Sequence, residues 1–183
     1  MDLISRAQKG DREAFAALFE QYKNLVYKTS YLILGDAHDA EDALQEVFLL
    51  VHRSLTNFDP HKGAFTTWLY RITFNFCLNY RRRKRNHSSL EDVSQKLATD
   101  FPGARLAEED SLWQATRSLT EKQQVVVILR YYRELPYAEI ASILEIPLGT
   151  VKSRLDLALK TLRKILEEQE SGKDSISQTE VCE

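Results

Sequence analysis

Apolar residues recur at steps of three and four along most of the chain, a spacing that places them on one side of a helix and does not fit the alternation of a strand. Phe15, Leu18, Phe19, Tyr22, Leu25 and Val26 make the first stripe, which continues through Tyr31 and Leu32. Asp11 can cap its start, and Gly35 is a natural stop. Ala40, Ala43, Leu44, Val47, Phe48, Val51 and Leu55 make the second stripe, with Asp36 or Asp39 as cap. Phe65, Trp68, Leu69, Ile72 and Phe76 make the third. Between the second and third lies NFDPHKG, where Pro60 and Gly63 break the pattern and predict a loop of about seven residues. The chain is therefore expected to be all-α.

Its 183 residues suit one medium domain or two small ones, and the charge pattern favours two. Residues 81–87 carry five basic side chains and no acidic one. Residues 88–110 then hold Ser88, Ser89, Pro102, Gly103 and six carboxylates with weak periodicity, the composition of a flexible acidic linker. Fully extended, such a segment reaches roughly 75 Å. Beyond it, Thr120 and Gln123 stand at capping-box spacing before a helix expected to run to about Arg133. Pro136 opens a short helix with Ile140, Ala141 and Leu144. A last helix, from about Gly149 to Glu168, has Val151, Leu155, Leu159 or Ala158, Leu162 and Ile165 as its apolar stripe. The expected organisation is a helical domain over 1–87, a linker over 88–110, a second helical domain over 111–169 and a disordered tail over 170–183.

Several function classes are disfavoured. No apolar stretch approaches the ~20 residues that span a bilayer, and the N-terminus lacks the apolar core of a signal peptide, so a cytoplasmic protein without membrane insertion is expected. Cys77 reads as a small core residue and Cys182 as a thiol in a polar tail, and they form neither a CxxC pair nor a disulfide framework. His38, His52, His61 and His87 show no ligand spacing, and GxSxG, Walker and GxGxxG motifs are absent. No enzyme, metal site, cofactor or small-molecule substrate is expected. The formal net charge of −2 argues against attraction of the whole protein to nucleic acid, although the basic run is a strong local exception.

Three constellations remain. YAEIASILE and TVKSRLDLALKTL, joined by a few residues, make a candidate helix-turn-helix that would turn Lys152, Ser153, Asp156 and Lys160 outward. Glu145 stands where many such units have a turn glycine, which predicts a different turn geometry; a plain αα-hairpin is the competing reading. The second combines Phe65, Trp68, Tyr70, Arg71, Phe74, Asn75, Asn79 and Tyr80 with Arg81, Arg82, Arg83, Lys84 and Arg85. Aromatic faces stack on unpaired bases and cations track phosphates, so this mixture suits single-stranded or melting DNA. Aromatics at helical spacing also serve as core, above all Phe65 and Trp68. The third is the outer face Asp42, Gln45, Glu46 and Leu49, which alone reads as a solvated helix face.

In order along the chain, DAEDALQEVFLLV, FDPHKGAFTTWLYRITFN and LTEKQQVVVILRYYRELPYAEIASILEIPLGTVKSRLDLALKTLRKIL resemble the extracytoplasmic-function (ECF) sigma factors of bacteria, over about residues 8–168. The resemblance implies a transcription initiation factor that binds core RNA polymerase and directs it to promoters. It implies that Asp42, Gln45, Glu46 and Leu49 dock on the clamp helices of the largest subunit, which overturns the solvated-face reading. It implies that Asp59, His61, Lys62, Phe65, Trp68, Arg71, Asn75 and Asn79 capture the −10 strand, while Arg81, Arg82, Arg83, Lys84 and Arg85 grip backbone. For the −35 element it implies phosphate contacts from Pro147, Gly149, Thr150 and Ser153, and base contacts from Lys152, Ser153, Asp156 and Leu157. Leu129 to Leu135 would meet the flap of the second-largest subunit, and an anti-sigma protein is an expected partner. The competing readings are a stand-alone dimeric helix-turn-helix regulator, for which the sequence offers no heptad seam, and a signalling adaptor, which leaves the basic helix unexplained.

Overall fold

The computed structural model describes residues 2–87 and 115–177, and every regular element among them is helical. The chain divides into two units, the first built from α1 (Leu3–Gln8), α2 (Arg12–Leu34), α3 (Ala37–Ser54) and α4 (Phe65–His87). The second is centred on α5 (Glu121–Val127), which continues as a π turn over Ile128–Tyr132, and on α7 (Leu148–Ser177), with the short α6 (Tyr137–Leu144) between them. The expected linker over 88–110 lies outside the described residues, as does the end of the tail from 178.

Local chemistry sets the corners of the first unit. The Asp11 carboxylate accepts from the Ala14 amide at 3.1 Å and caps α2. Arg6 pairs with the same carboxylate at 2.7 Å, so α1 is tied to the start of α2. These two partners, the amide bond first, hold the Asp11 carboxyl below its ordinary range. Gly35 ends α2 at φ 74, a left-handed conformation that glycine adopts without a Cβ clash. One residue on, Asp36 caps α3 by accepting from the Asp39 amide at 2.9 Å; of the two expected cap candidates it is the one used.

The apolar stripes meet as expected, with Leu18, Val26, Val47, Val51, Leu55, Phe58, Phe65 and Leu69 forming one buried cluster. Two buried hydroxyls are satisfied within their own helices: Thr29 donates to the Leu25 carbonyl at 2.7 Å and Thr73 to that of Leu69 at 2.9 Å. Cys77 is fully buried, with its thiol 3.4 Å from the Ser30 hydroxyl, and burial pushes that thiol up to about 12. The element not anticipated from sequence is α1, which buries Ala7 and lays Leu3 and Ile4 against the cluster.

In the second unit the amide oxygen of Gln123 accepts from the Thr120 backbone at 3.1 Å and from its hydroxyl at 2.7 Å, so the capping signal is realised. The helix expected to reach Arg133 is α-helical only to Val127; it then widens, and the Arg133 amide bonds to the Ile128 carbonyl five residues back at 3.0 Å. On α7, Val151, Leu155, Ala158 and Leu162 are buried while Leu159 is 44% exposed, which decides between the two stripe positions in favour of Ala158. The helix also runs to Ser177, correcting the disordered-tail expectation over 170–177. No proline interrupts that stretch, and once a helix is nucleated each added residue contributes a bond.

The turn between α6 and α7 corrects a second expectation. Glu145 takes φ 53 and ψ 43, the left-handed conformation that a turn glycine would occupy, so the geometry is retained without the glycine. The Ile146 amide bonds back to the Ala141 carbonyl at 3.1 Å, and the Pro147 carbonyl accepts from Thr150 at 2.9 Å to open α7.

Candidate nucleic-acid and polymerase interfaces

The loop between α3 and α4 is anchored on both sides. Leu55–Asn57 form a 3-10 turn closed by a bond from the Phe58 amide to the Leu55 carbonyl at 3.0 Å. The Gln8 amide nitrogen donates to the carbonyls of Leu55 at 3.0 Å and Phe58 at 2.7 Å. Within the loop, Asp59 accepts from the His61 amide at 3.0 Å through its carboxylate and from the Lys62 amide at 3.0 Å through its carbonyl. Gly63 takes φ 153, which a side chain would disfavour. His61 and Lys62 are exposed and Asp59 is half-buried, so these three expected contacts share one exposed loop.

Phe65 is different. It is 6% exposed, with its ring 5.4 Å from Phe58, 5.5 Å from Trp68 and 5.1 Å from Tyr22. A ring so enclosed supports the loop rather than stacking on a ligand. Trp68, half-buried on the same cluster, keeps part of its ring accessible.

Along α4, Asn75, Asn79 and Arg83 follow one another at four-residue steps and line a groove of about 540 Å³ between α3 and α4. Its floor includes Ile72 and Phe76, and its α3 wall carries Glu46, Leu50 and Arg53. Two carboxamides can donate to and accept from base edges or sugars, and two guanidinium groups favour phosphate. Arg71 lies one turn before Asn75 and is half-buried.

The basic end of α4 proves to be divided. Lys84 holds the buried Asp39 through both carboxylate oxygens, at 2.9 and 2.7 Å, and the Tyr80 hydroxyl donates to the same carboxylate at 2.9 Å. Burial first, then this bond and nearby carboxylates, push the Tyr80 phenol up to about 12. Arg81 donates to the Ile33 carbonyl at 3.1 Å, answering one of the open carbonyls at the end of α2. Two of the five expected backbone-gripping cations thus also brace the unit, while Arg82, Arg83 and Arg85 are exposed.

On α3, Gln45 and Glu46 are exposed and Leu49 is 49% exposed, next to Leu50 at 38%. Asp42 is partly covered and lies 3.3 Å from the His38 ring nitrogen. In the second unit Pro147, Gly149, Lys152, Ser153 and Asp156 are exposed, Leu157 is 55% exposed and Thr150 is half-buried. The Ser153 hydroxyl donates to the Thr150 carbonyl at 3.1 Å, and Asp156 pairs with Lys160 at 2.9 Å. Nothing lies within 4 Å of where a Gly149 side chain would start. Over the expected flap segment, Leu129 is buried, Tyr131 is 50% exposed, and Arg130 sits 5.1 Å over the Tyr137 ring while donating to the Leu135 carbonyl at 3.2 Å.

Sequence reasoning missed Gln8 and undervalued Asp39, because their partners lie 47 and 45 residues away and leave no local signal. Among the described residues no three His, Cys, Asp or Glu side chains are arranged to hold a metal ion, and no helix is long and apolar enough to cross a membrane.

Residues 18–87 match the Sigma-70 region 2 family and residues 109–162 match Sigma-70, region 4. The ECF RNA polymerase sigma factor SigW of Bacillus subtilis (strain 168) is 33% identical, with 89% of this chain and 94% of the relative covered. Among solved structures, CnrH in complex with the cytosolic domain of CnrY shares the fold with a TM-score of 0.68 at 22% identity, over 91% of this chain and 96% of that one. The sigma factor RpoE in complex with the anti-sigma factor NepR from Bartonella quintana gives a TM-score of 0.65 at 21% identity, over 84% and 96%.

Proposed function

The chain belongs to the extracytoplasmic-function group of sigma-70 factors, and from that premise we propose how its two units divide the work of promoter recognition. It is an RNA polymerase sigma factor of the ECF type, an initiation factor and not an enzyme. What supports the division of labour is that the segments matching regions 2 and 4 each carry the expected side chains exposed or half-buried, with Phe65 the buried exception.

In the second unit α7 enters the major groove of the −35 duplex by its N-terminal turns. The Gly149 backbone amide, with the Thr150 and Ser153 hydroxyls, meets phosphates, where the helix terminus favours anions. Lys152 donates to guanine O6 or N7, Asp156 accepts from a cytosine amino group, and Leu157 covers a thymine methyl. In the first unit the 59–63 loop captures a flipped base of the −10 element, and Asn75, Asn79 and Arg83 carry the opened strand along the α3–α4 groove. Flipping a base costs a few kcal/mol, which the loop contacts and polymerase offset. Phe65 supports that loop from within. Arg82, Arg83 and Arg85 follow the backbone, and Arg81 and Lys84 hold the helix end in place.

Asp42, Gln45, Glu46 and Leu49 dock on the clamp helices of the largest polymerase subunit, and the Leu129–Leu135 segment with Tyr131 meets the flap. With a net charge of −2 the free factor binds promoter DNA poorly, and polymerase supplies the geometry. An anti-sigma protein that covers Leu49 and Leu50, or the leucines of α7, would hold the factor inactive in the cytoplasm. Run-off transcription with purified bacterial core polymerase on fragmented genomic DNA tests the reading. New start sites sharing two upstream motifs are expected; specific DNA binding without core, and no new starts with it, would overturn it.

A further inference from the structure

Gln8 closes α1, a helix that lies outside the segment matching region 2, yet both protons of its amide are directed at the polypeptide entering the 59–63 loop. The acceptors are the carbonyls of Leu55 and Phe58, at 3.0 and 2.7 Å, at the two ends of the 3-10 turn that turns the chain out of α3. A carboxamide has two N–H donors, and both are committed here. The Phe58 ring then packs on Phe65 and Trp68, 5.4 Å from each, where the loop re-enters α4. Everything between is exposed or half-buried, and the polar bonds that shape it come from Asp59 to its own neighbours. The direction in which Asp59, His61 and Lys62 project therefore depends on where Phe58 is held, and Gln8 holds it from a helix that is itself tied to α2 by the Arg6–Asp11 pair.

We propose that Gln8 is a positioning residue for strand capture: by fixing the entry to the 59–63 loop, it determines how closely the loop fits the base it takes from the −10 strand. The proposal rests on the reading of that loop as the capture site. Displacing a reacting or binding group by about 1 Å costs as much as 10²-fold where fit is tight, so a bond pair remote from the ligand can control discrimination.

The test uses holoenzyme made from core polymerase and the full-length factor, with three variants at this position. Gln8→Glu keeps the volume and removes both donors, Gln8→Ala removes the side chain, and Gln8→Lys restores donors on a longer stem. Opening rates are measured on a cognate promoter, on versions with each −10 position changed in turn, and on a version abasic at the captured position. Core affinity is measured alongside. Gln8→Glu and Gln8→Ala should slow opening about tenfold on the cognate promoter, flatten the preference at the captured position and leave the abasic template and core affinity unchanged, while Gln8→Lys recovers part of the preference. Equal loss on cognate and abasic templates, or an unchanged preference, would overturn the role of Gln8. If the unsubstituted factor itself showed no base preference at any −10 position, the capture reading would fail instead.

Discussion

Asp39→Asn is the substitution that most directly tests how the distal end of α4 is held. The carboxylate is 12% exposed and receives two bonds from Lys84 and one from Tyr80, all within 2.9 Å. A hydrogen bond to a charged group contributes about 1.5–3 kcal/mol. Because the Lys84 side chain is half-exposed, its share is reduced by solvent to about 1 kcal/mol. The Tyr80 bond loses about half its strength when the acceptor becomes neutral, roughly 1 kcal/mol more. The amide should therefore loosen the last turns of α4 by about 2 kcal/mol. Amide hydrogen exchange over residues 80–85 reads that local opening without assuming that the two units unfold together, and 2 kcal/mol corresponds to exchange roughly 30-fold faster. In a Lys84→Met background the effect of Asp39→Asn should shrink by about 1 kcal/mol, and in high salt the Lys84 share should fade. Exchange altered less than threefold, or strictly additive effects of the two substitutions, would mean that the cluster does not hold the helix end.

Three further outcomes are expected. Glu145→Gly relieves a left-handed residue and should stabilise the second unit by about 1 kcal/mol, raising its melting temperature by several degrees; a decrease would mean that the Glu145 side chain supplies more than the strain removes. In a Cys182→Ser background the Cys77 thiol should resist a thiol reagent at pH 8 until the protein is unfolded. Its folded value is raised from 9.0 to about 12, so its contribution to stability is complete below pH 9 and lost as pH rises toward 12; stability should therefore fall over that window more steeply than in Cys77→Ala. Lys152→Ala should reduce transcription from a cognate promoter roughly 5- to 150-fold, from about 1–3 kcal/mol of lost base contact, with core affinity intact in a competition assay. Loss of core binding would put Lys152 in the wrong interface.

What the sequence made legible follows the range of the interactions. Asp11, Gly35, Thr120 and Gln123 act within four residues of themselves, and each does in the fold what its local pattern implies. The stripe on α7 was legible except at one step, because Ala158 and Leu159 are adjacent candidates and only packing against α5 decides which turns inward. The left-handed Glu145 and the π turn at Ile128–Tyr132 run against local preference, and so they cannot be read from it. Two long-range contacts were invisible: those of a glutamine in a short N-terminal helix, and of an aspartate that looked like one of two equivalent caps. Yet these two residues bear on the candidate DNA face at its two ends. Gln8 fixes the chain just before the loop that leads into α4, and Asp39 fixes α4 at Tyr80 and Lys84 near its far end. The exposed side chains from Asp59 to Arg83, all recognisable by type, lie between those two attachments. Periodicity therefore identifies which groups can touch DNA, whereas polar bonds between distant parts of the chain determine where those groups are held, and the fit to an unpaired base depends on the second.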